Sequence, residues 1–181
     1  MFGYKERKAA QVAAFFTSKS GGEINVLKLA KLLYLTERES MHRFDEPMFF
    51  DRLVSMDHGP VTSISLNHVN GLQDSDHWDE FISDRSGHNV GLVEGRTEDD
   101  FDQLSRADIQ ILNDLWDQFG GMTQYQVRDW THKNCPEWEN PHGSSNPIGH
   151  DRIFKFLKKE NADDLANDVI GYRHVAHAIQ G

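Results

Sequence analysis

The sequence predicts a mainly α fold, a single compact multi-helix domain over residues 1–181 with a small β-hairpin or extended segment in its middle. Three observations carry that expectation. Apolar residues recur at helical spacing towards both ends of the chain. Between residues 73 and 102 this periodicity gives way to glycine- and acid-rich sequence. No internal repeat, low-complexity tract or linker divides the 181 residues, and at roughly 150 residues per domain that length suggests one unit. The core is expected within about 5–160, followed by a helical tail at about 161–179.

Lys5 to about Lys19 reads as the first helix, with Ala9, Val12, Ala13 and Phe16 on one face. Gly21-Gly22 stops it, since helices commonly end where glycine takes the left-handed conformation. Asn25 is placed to cap a second helix that runs to about Arg43. Val26, Leu27, Leu29, Leu32, Leu33, Tyr34 and Leu35 leave little of this helix for solvent beyond Lys28, Lys31 and the Glu37-Arg38-Glu39 run. Such a helix belongs in the middle of the core.

Asp45-Glu46-Pro47 breaks the pattern, because proline cannot continue a helix. Met48 to Met56 is short and apolar, an extended segment packed on the second helix. His58-Gly59-Pro60-Val61 reads as a turn, with Pro60 at the first position of a third helix, where its missing N–H costs nothing. That helix carries Val61, Ile64, Ser65, Leu66 and His68 and stops at Asn70-Gly71. Trp78–Ile82 and Asn89–Val93 then flank Ser86-Gly87 like the arms of a small β-hairpin, in a stretch that otherwise reads as a surface excursion or flexible loop.

Ser105 and Asp108 form an acidic capping box for a helix bearing Ile109, Leu112, Leu115, Trp116 and Phe119, ended by Gly120-Gly121. Thr123 caps the next helix, which holds Val127 and Trp130 and ends near Lys133. Pro136, Pro141, Gly143 and Pro147 make an irregular loop. Two tail helices follow, one around Ile153, Phe154, Phe156 and Leu157, the last on Leu165, Val169, Tyr172, Ala176 and Ile179.

Nineteen Lys and Arg against 29 Asp and Glu give a formal net charge of −10. That balance argues against a broad nucleic-acid surface, where affinity comes from basic side chains on phosphates, and against anionic membrane. It suits a partner that is basic. Cys135 is the only cysteine, so no intramolecular disulfide forms and a reducing cytosol is expected. The start Met1-Phe2-Gly3-Tyr4-Lys5 lacks the pattern of a secretion signal. The apolar run Val26–Leu35 is interrupted by two lysines and falls short of the roughly 20 residues that span a bilayer. The expectation is a cytoplasmic protein.

Catalytic constellations are thin. Ten histidines invite a metal reading, and His174 and His177 share a helix face at i, i+3, yet no third or fourth ligand is spaced to join them. Cys135 lies three residues after His132, but Cys–His nucleophile pairs usually come from separated parts of a chain, and a partly buried, inert thiol is the simpler reading. No phosphate-cradling glycine motif occurs. Acidic runs such as Glu98-Asp99-Asp100 and Asp163-Asp164 read as solvated faces. Lys28 and Lys31 are expected to lay their stems over the core and snorkel outward; the alternative is a polar seam that holds another protein. No cofactor or metal is expected.

Several stretches together resemble a known family. Ile24 to Leu35, with Leu27, Lys28, Lys31, Leu32 and Tyr34, resembles the Leu-Lys-Leu-x-Lys-Leu-Leu-Tyr core of the Panacea domain, the phage-associated SocA-like antitoxin family. His58-Gly59-Pro60-Val61 resembles its aromatic-Gly-Pro-Val motif. Leu104 to Gly120 looks like its helix before a glycine, and Trp130-Thr131-His132 followed by Pro136-x-Trp138 is similar to its Thr-His…Pro-x-Trp signature. The likeness runs in order from about Ala9 to Trp138. Ser55-Met56-Asp57 stands where the family often has an aromatic residue, His58 replaces its tyrosine, and the acidic stretch from Asp74 to Asp102 is longer.

The resemblance implies an antitoxin, a protein that binds and neutralises a toxin encoded beside it and is not an enzyme. Relatives pair with unlike toxins, and some act as adaptors that deliver the toxin to a protease. The partners implied are the cognate toxin, and beyond it a protease or a second copy of the chain. Toxin contacts are expected from aromatic residues outside the helical stripes: Phe49, Phe50, Trp78, Trp138 and Tyr172. The second helix and the His58–Val61 turn are expected to be scaffold. A −10 charge would steer association with a basic toxin. Two rivals remain: a metal-dependent or Cys–His hydrolase using His132, Cys135, His174 or His177, and a DNA-binding repressor, which the charge disfavours.

Overall fold

The computed structural model describes the backbone of residues 3–180; the side chains of His177, Ile179 and Gln180 lie outside the described residues, and with them the expectations for His177 and Ile179. The chain is mainly helical. Its helices are α1 (Glu6–Lys19), α2 (Val26–Phe44), α3 (Ser63–Val69), α4 (Arg106–Phe119), α5 (Gln124–Asn134), α6 (His150–Phe156) and α7 (Ala162–Gln180). Short strands lie between them: β1 (Glu23–Asn25), β2 (Leu53–Met56), β3 (Gly59–Thr62), β4 (Asn89–Gly91) and β5 (Asn146–Pro147).

Local sequence explains the helix ends. Gly21 and Gly22 both take positive φ, 88° and 97°, and turn the chain out of α1. Asn25 caps α2, its Oδ1 accepting the N–H groups of Leu27 (3.0 Å) and Lys28 (3.3 Å), a contact worth about 1 kcal/mol. Ser105 and Asp108 form the reciprocal box at the start of α4, and Thr123 with Gln126 does the same for α5. Leu29, Leu32, Leu33 and Tyr34 are completely buried, and α2 packs against α1, α4, α5 and β3, the central position its girth of apolar residues implies.

Two expectations are corrected. Pro60 does not open a helix. Gly59–Thr62 is strand β3, antiparallel to β2 with Met56 opposite Gly59, so the turn is Asp57-His58. Proline is tolerated because β3 is an edge of the three-stranded sheet β3-β2-β5. α3 starts later, at Ser63, and Asp51 binds its first amides: Oδ1 accepts Ile64 N–H and Oδ2 accepts Ser65 N–H, each at 2.9 Å.

The expected hairpin at residues 78–93 forms in part: the Val93 N–H donates to the Phe81 carbonyl and the Ser83 N–H to the Gly91 carbonyl, each at 2.9 Å, and Ser86 and Asn89 bond each other's backbone across Gly87-His88. β4 pairs with β1, placing Ile24 opposite Val90, both nearly buried. The first arm is not extended throughout, because Trp78–Glu80 forms a single 3-10 turn; antiparallel bridges join Ile82 to Leu92 and Ser86 to Asn89. Nor is this segment a loose excursion. Glu6 Oε1 accepts the N–H groups of Asp76, His77 and Trp78 at 2.7–2.9 Å, and Arg7 reaches Glu80 and Asp102. α1 holds the segment from a distance in sequence, which no local pattern reveals.

A third correction concerns charge. The sequence pattern places Lys31 and Glu37 on the solvent side of α2, yet both are fully buried. A buried charge costs several kcal/mol unless hydrogen bonds replace its water. Glu37 Oε2 accepts the N–H groups of Met48 (2.5 Å) and Phe49 (3.1 Å), and Oε1 accepts that of Asp51 (2.8 Å). From the other side Arg173 of α7 donates to the carbonyls of Phe50 (3.1 Å) and Asp51 (2.8 Å). The chain reversal after α2, with Asp45 and Phe50 both at positive φ, is clamped between them. Glu37→Ala strands three buried amides, so a loss of about 3 kcal/mol or more is expected in urea unfolding, against less than about 0.5 kcal/mol for the exposed control Asp99→Ala; equal effects would show that the clamp carries no weight.

Candidate functional site

The motif residues scattered along the sequence meet at one junction of α2, β3 and α5. Lys31 Nζ donates to the Pro60 carbonyl at 2.9 Å, an edge-strand oxygen that otherwise faces the core. Gly59 sits against the same ammonium with φ of 99°; a Cβ there would stand 3.0 Å from Lys31 Nζ and 3.0 Å from His132 Cδ2. His132 stacks on Trp138 with centroids 4.2 Å apart and planes 7° from parallel. Trp138 Nε1 donates to the Met56 carbonyl at 2.9 Å, which ties the loop after α5 to β2.

The remaining motif residues build the walls. Tyr34 Oη and Arg38 Nε both donate to Glu137 Oε1 at 2.6 Å. Thr131 is buried and donates to the Arg128 carbonyl. Trp130 packs edge-on against Phe119, and Leu32 is core. Lys28 does not snorkel into solvent either: its ammonium donates to the carbonyls of Gly120 (2.7 Å) and Met122 (2.8 Å), closing the C-terminal end of α4.

Burial pulls the Lys31 ammonium down to about 7. Burial, and then the Lys31 cation, hold His132 below the usual imidazole range, and His132 Nε2 is buried without a hydrogen-bond partner among the described residues. Cys135 is completely buried and its thiol is pushed up to about 12 by that burial. The thiolate that a Cys–His mechanism needs is therefore disfavoured at neutral pH. Among the described residues no three His, Cys, Asp or Glu side chains are grouped to hold a metal, and His174 is exposed on α7.

Beside the junction lies a cleft of about 700 Å³. Leu27, Lys31, His58 and Val61 line it, so part of the expected scaffold also faces a cavity. Arg85 and His88 come from the segment before β4, and Tyr125 and Arg128 from α5. Sequence reasoning did not single out Arg85, His88 or Arg128, because only the fold brings their segments to α2. It also set Glu37 among the solvent-facing residues, although Leu29, Leu33 and Glu37 follow one another at i, i+4, i+8 on the buried face.

Of the aromatic contact candidates, Phe49, Phe50 and Trp78 are core residues, at 0%, 2% and 2% exposure, and offer a partner no surface. Their segments are short, but each is wrapped by α1 or α7. Trp138 is half-buried. Tyr172 is 40% exposed, stacked at 4.2 Å on Phe50.

A model of one protein family, described as antitoxin SocA-like, Panacea domain, matches residues 29–139, more than half of the chain. The match opens inside α2 and ends just past Trp138, so it takes in Lys31, Gly59, Pro60 and His132. No curated protein and no solved structure matches the chain.

Two measurements check the junction. Gly59→Ala meets both a positive φ and the Lys31–His132 contact, so a loss of about 1–3 kcal/mol is expected; unchanged stability would mean that the packing here is slack. Lys31 carries a folded-state value below its ordinary 10.5, so the unfolded chain holds this proton more tightly. Its burial cost is fully present below about pH 7 and fades as pH rises towards 10.5. The stability of Lys31→Met relative to wild type is therefore expected to be most favourable at pH 6 and to decline through pH 8 to pH 10 in urea titrations. A flat difference would place the ammonium in contact with water.

Proposed function

We propose, from the premise that the chain belongs to the SocA-like antitoxin, Panacea-domain family, that it neutralises a cognate toxin by binding it directly. The observation that supports this reading most is the span of the family match, which covers the residues that build the junction and most of those that line the cleft. Masking a toxin is a matter of surface complementarity, a central cluster of anchors within a polar rim. It asks the protein for a surface held in one shape. The backbone-bound charges Lys31, Glu37 and Asp51 provide that rigidity, and the buried thiol of Cys135 offers no nucleophile. The net charge of −10 adds long-range steering towards a basic toxin.

The test is growth rescue. The product of the neighbouring reading frame is expressed with and without this chain, and the two proteins are then co-purified. Relief of growth arrest together with a stoichiometric complex is expected, and Cys135→Ala is expected to rescue as well as wild type. Failure of both rescue and association would defeat the reading. Toxin abundance followed during rescue separates masking, which leaves it unchanged, from delivery to a protease, which lowers it.

A further inference from the structure

We infer that the cleft between α2, β3 and α5 receives an extended segment of the toxin in which an acidic side chain is flanked by apolar ones, the carboxylate meeting Arg85 and Arg128. This rests on the antitoxin reading and names the part of the partner that is gripped.

The sign of the cleft is its decisive feature. In a chain with a net charge of −10, three cationic side chains and two histidines line the cleft against a single carboxylate, Asp57. Asp57 is already engaged, accepting the Gly143 N–H at 2.8 Å. The Lys31 ammonium is completely buried on a neutral carbonyl, so it adds positive potential from beneath the cleft wall rather than a contact. Arg85 likewise bonds only neutral groups among the described residues, the Gly87 carbonyl and the Asn70 side chain. Arg128 lies over the Tyr125 ring at 5.2 Å, and its partner Asp129 is 63% exposed, where water screens the pair. Arg85 without a carboxylate partner among the described residues, Arg128 in a pair that water weakens, and the buried Lys31 beneath them give the cleft a positive wall that favours an incoming anion.

The floor decides which anion. Leu27 and Val61 line it, with Met56 and Tyr125 at 36% and 56% exposure on the rim. An aliphatic or aromatic neighbour of the acidic residue would cover them, whereas a small inorganic anion would leave them wet. A nucleic-acid strand would need the basic field to extend beyond the cleft, which the overall charge opposes.

The experiment uses the full chain and the purified toxin in isothermal titration. Arg85→Glu with Arg128→Glu, both on the surface, is expected to weaken binding about 30-fold or more, while Phe156→Glu on α6 leaves it unchanged. Thermal unfolding of each variant is followed alongside, so that a loss of fold is told apart from a loss of contact. Overlapping peptides of the toxin should yield a binder containing Asp or Glu beside apolar residues, weakened by its replacement with Asn or Gln. Tight binding by the arginine double variant, or loss on Tyr172→Ala alone, would overturn the inference and leave the antitoxin reading standing. So would inorganic phosphate that stabilises the wild type, but not the double variant, without competing with the toxin. A wild type that neither rescues nor binds would defeat the antitoxin reading, and this inference with it.

Discussion

Charged groups that α2 carries into the core must find hydrogen bonds there, and the rest of the architecture is arranged around that requirement. Glu37 and Lys31 lie on a helix whose other buried faces are nearly all apolar. Neither is neutralised by a direct ion pair among the described residues; each is satisfied by backbone, Glu37 by amides and Lys31 by a carbonyl. Backbone groups near a chain reversal or a sheet edge have no regular partner, so the two needs answer each other. The segment after α2 and the edge strand β3 are thereby fixed against the central helix without any local preference for those shapes.

That arrangement explains why the small-residue turn matters. Gly59 leaves room for Lys31 and His132 to approach the same point, and Pro60 exposes a carbonyl on a strand edge where no neighbouring strand competes for it. His132 is held in turn by Trp138, which is tethered to β2. Helix, hairpin and the loop after α5 form one interlocked unit. A change at any of these residues is felt by the others, since the shared contacts are close to van der Waals limits.

The distribution of charge bears on association. The surface as a whole is acidic, while the cleft beside the junction gathers lysine, arginine and histidine. Long-range steering and local recognition then act with opposite signs. A partner must satisfy both to bind well, which narrows the set of proteins that fit.

Helices α1, α2 and α4 to α7, the caps of α2, α4 and α5 and the central place of α2 were legible from the sequence alone, because spacing and capping are properties of neighbours in the chain. Asn25, Ser105 and Thr123 act over two or three residues and need nothing else. The shared family could likewise be read from ordered motifs. Tertiary structure alone decided the rest. Whether Pro60 begins a helix or ends up in an edge strand depends on β2 lying beside it; β4 chose β1 as its partner because α1 pins the intervening segment through Glu6 and Arg7. Whether Lys31 and Glu37 face water or the core depends on which elements cover α2. Local sequence encodes periodicity and caps, but the identity of the group that satisfies a buried charge, or of the strand that completes a pair, exists only once distant segments have met.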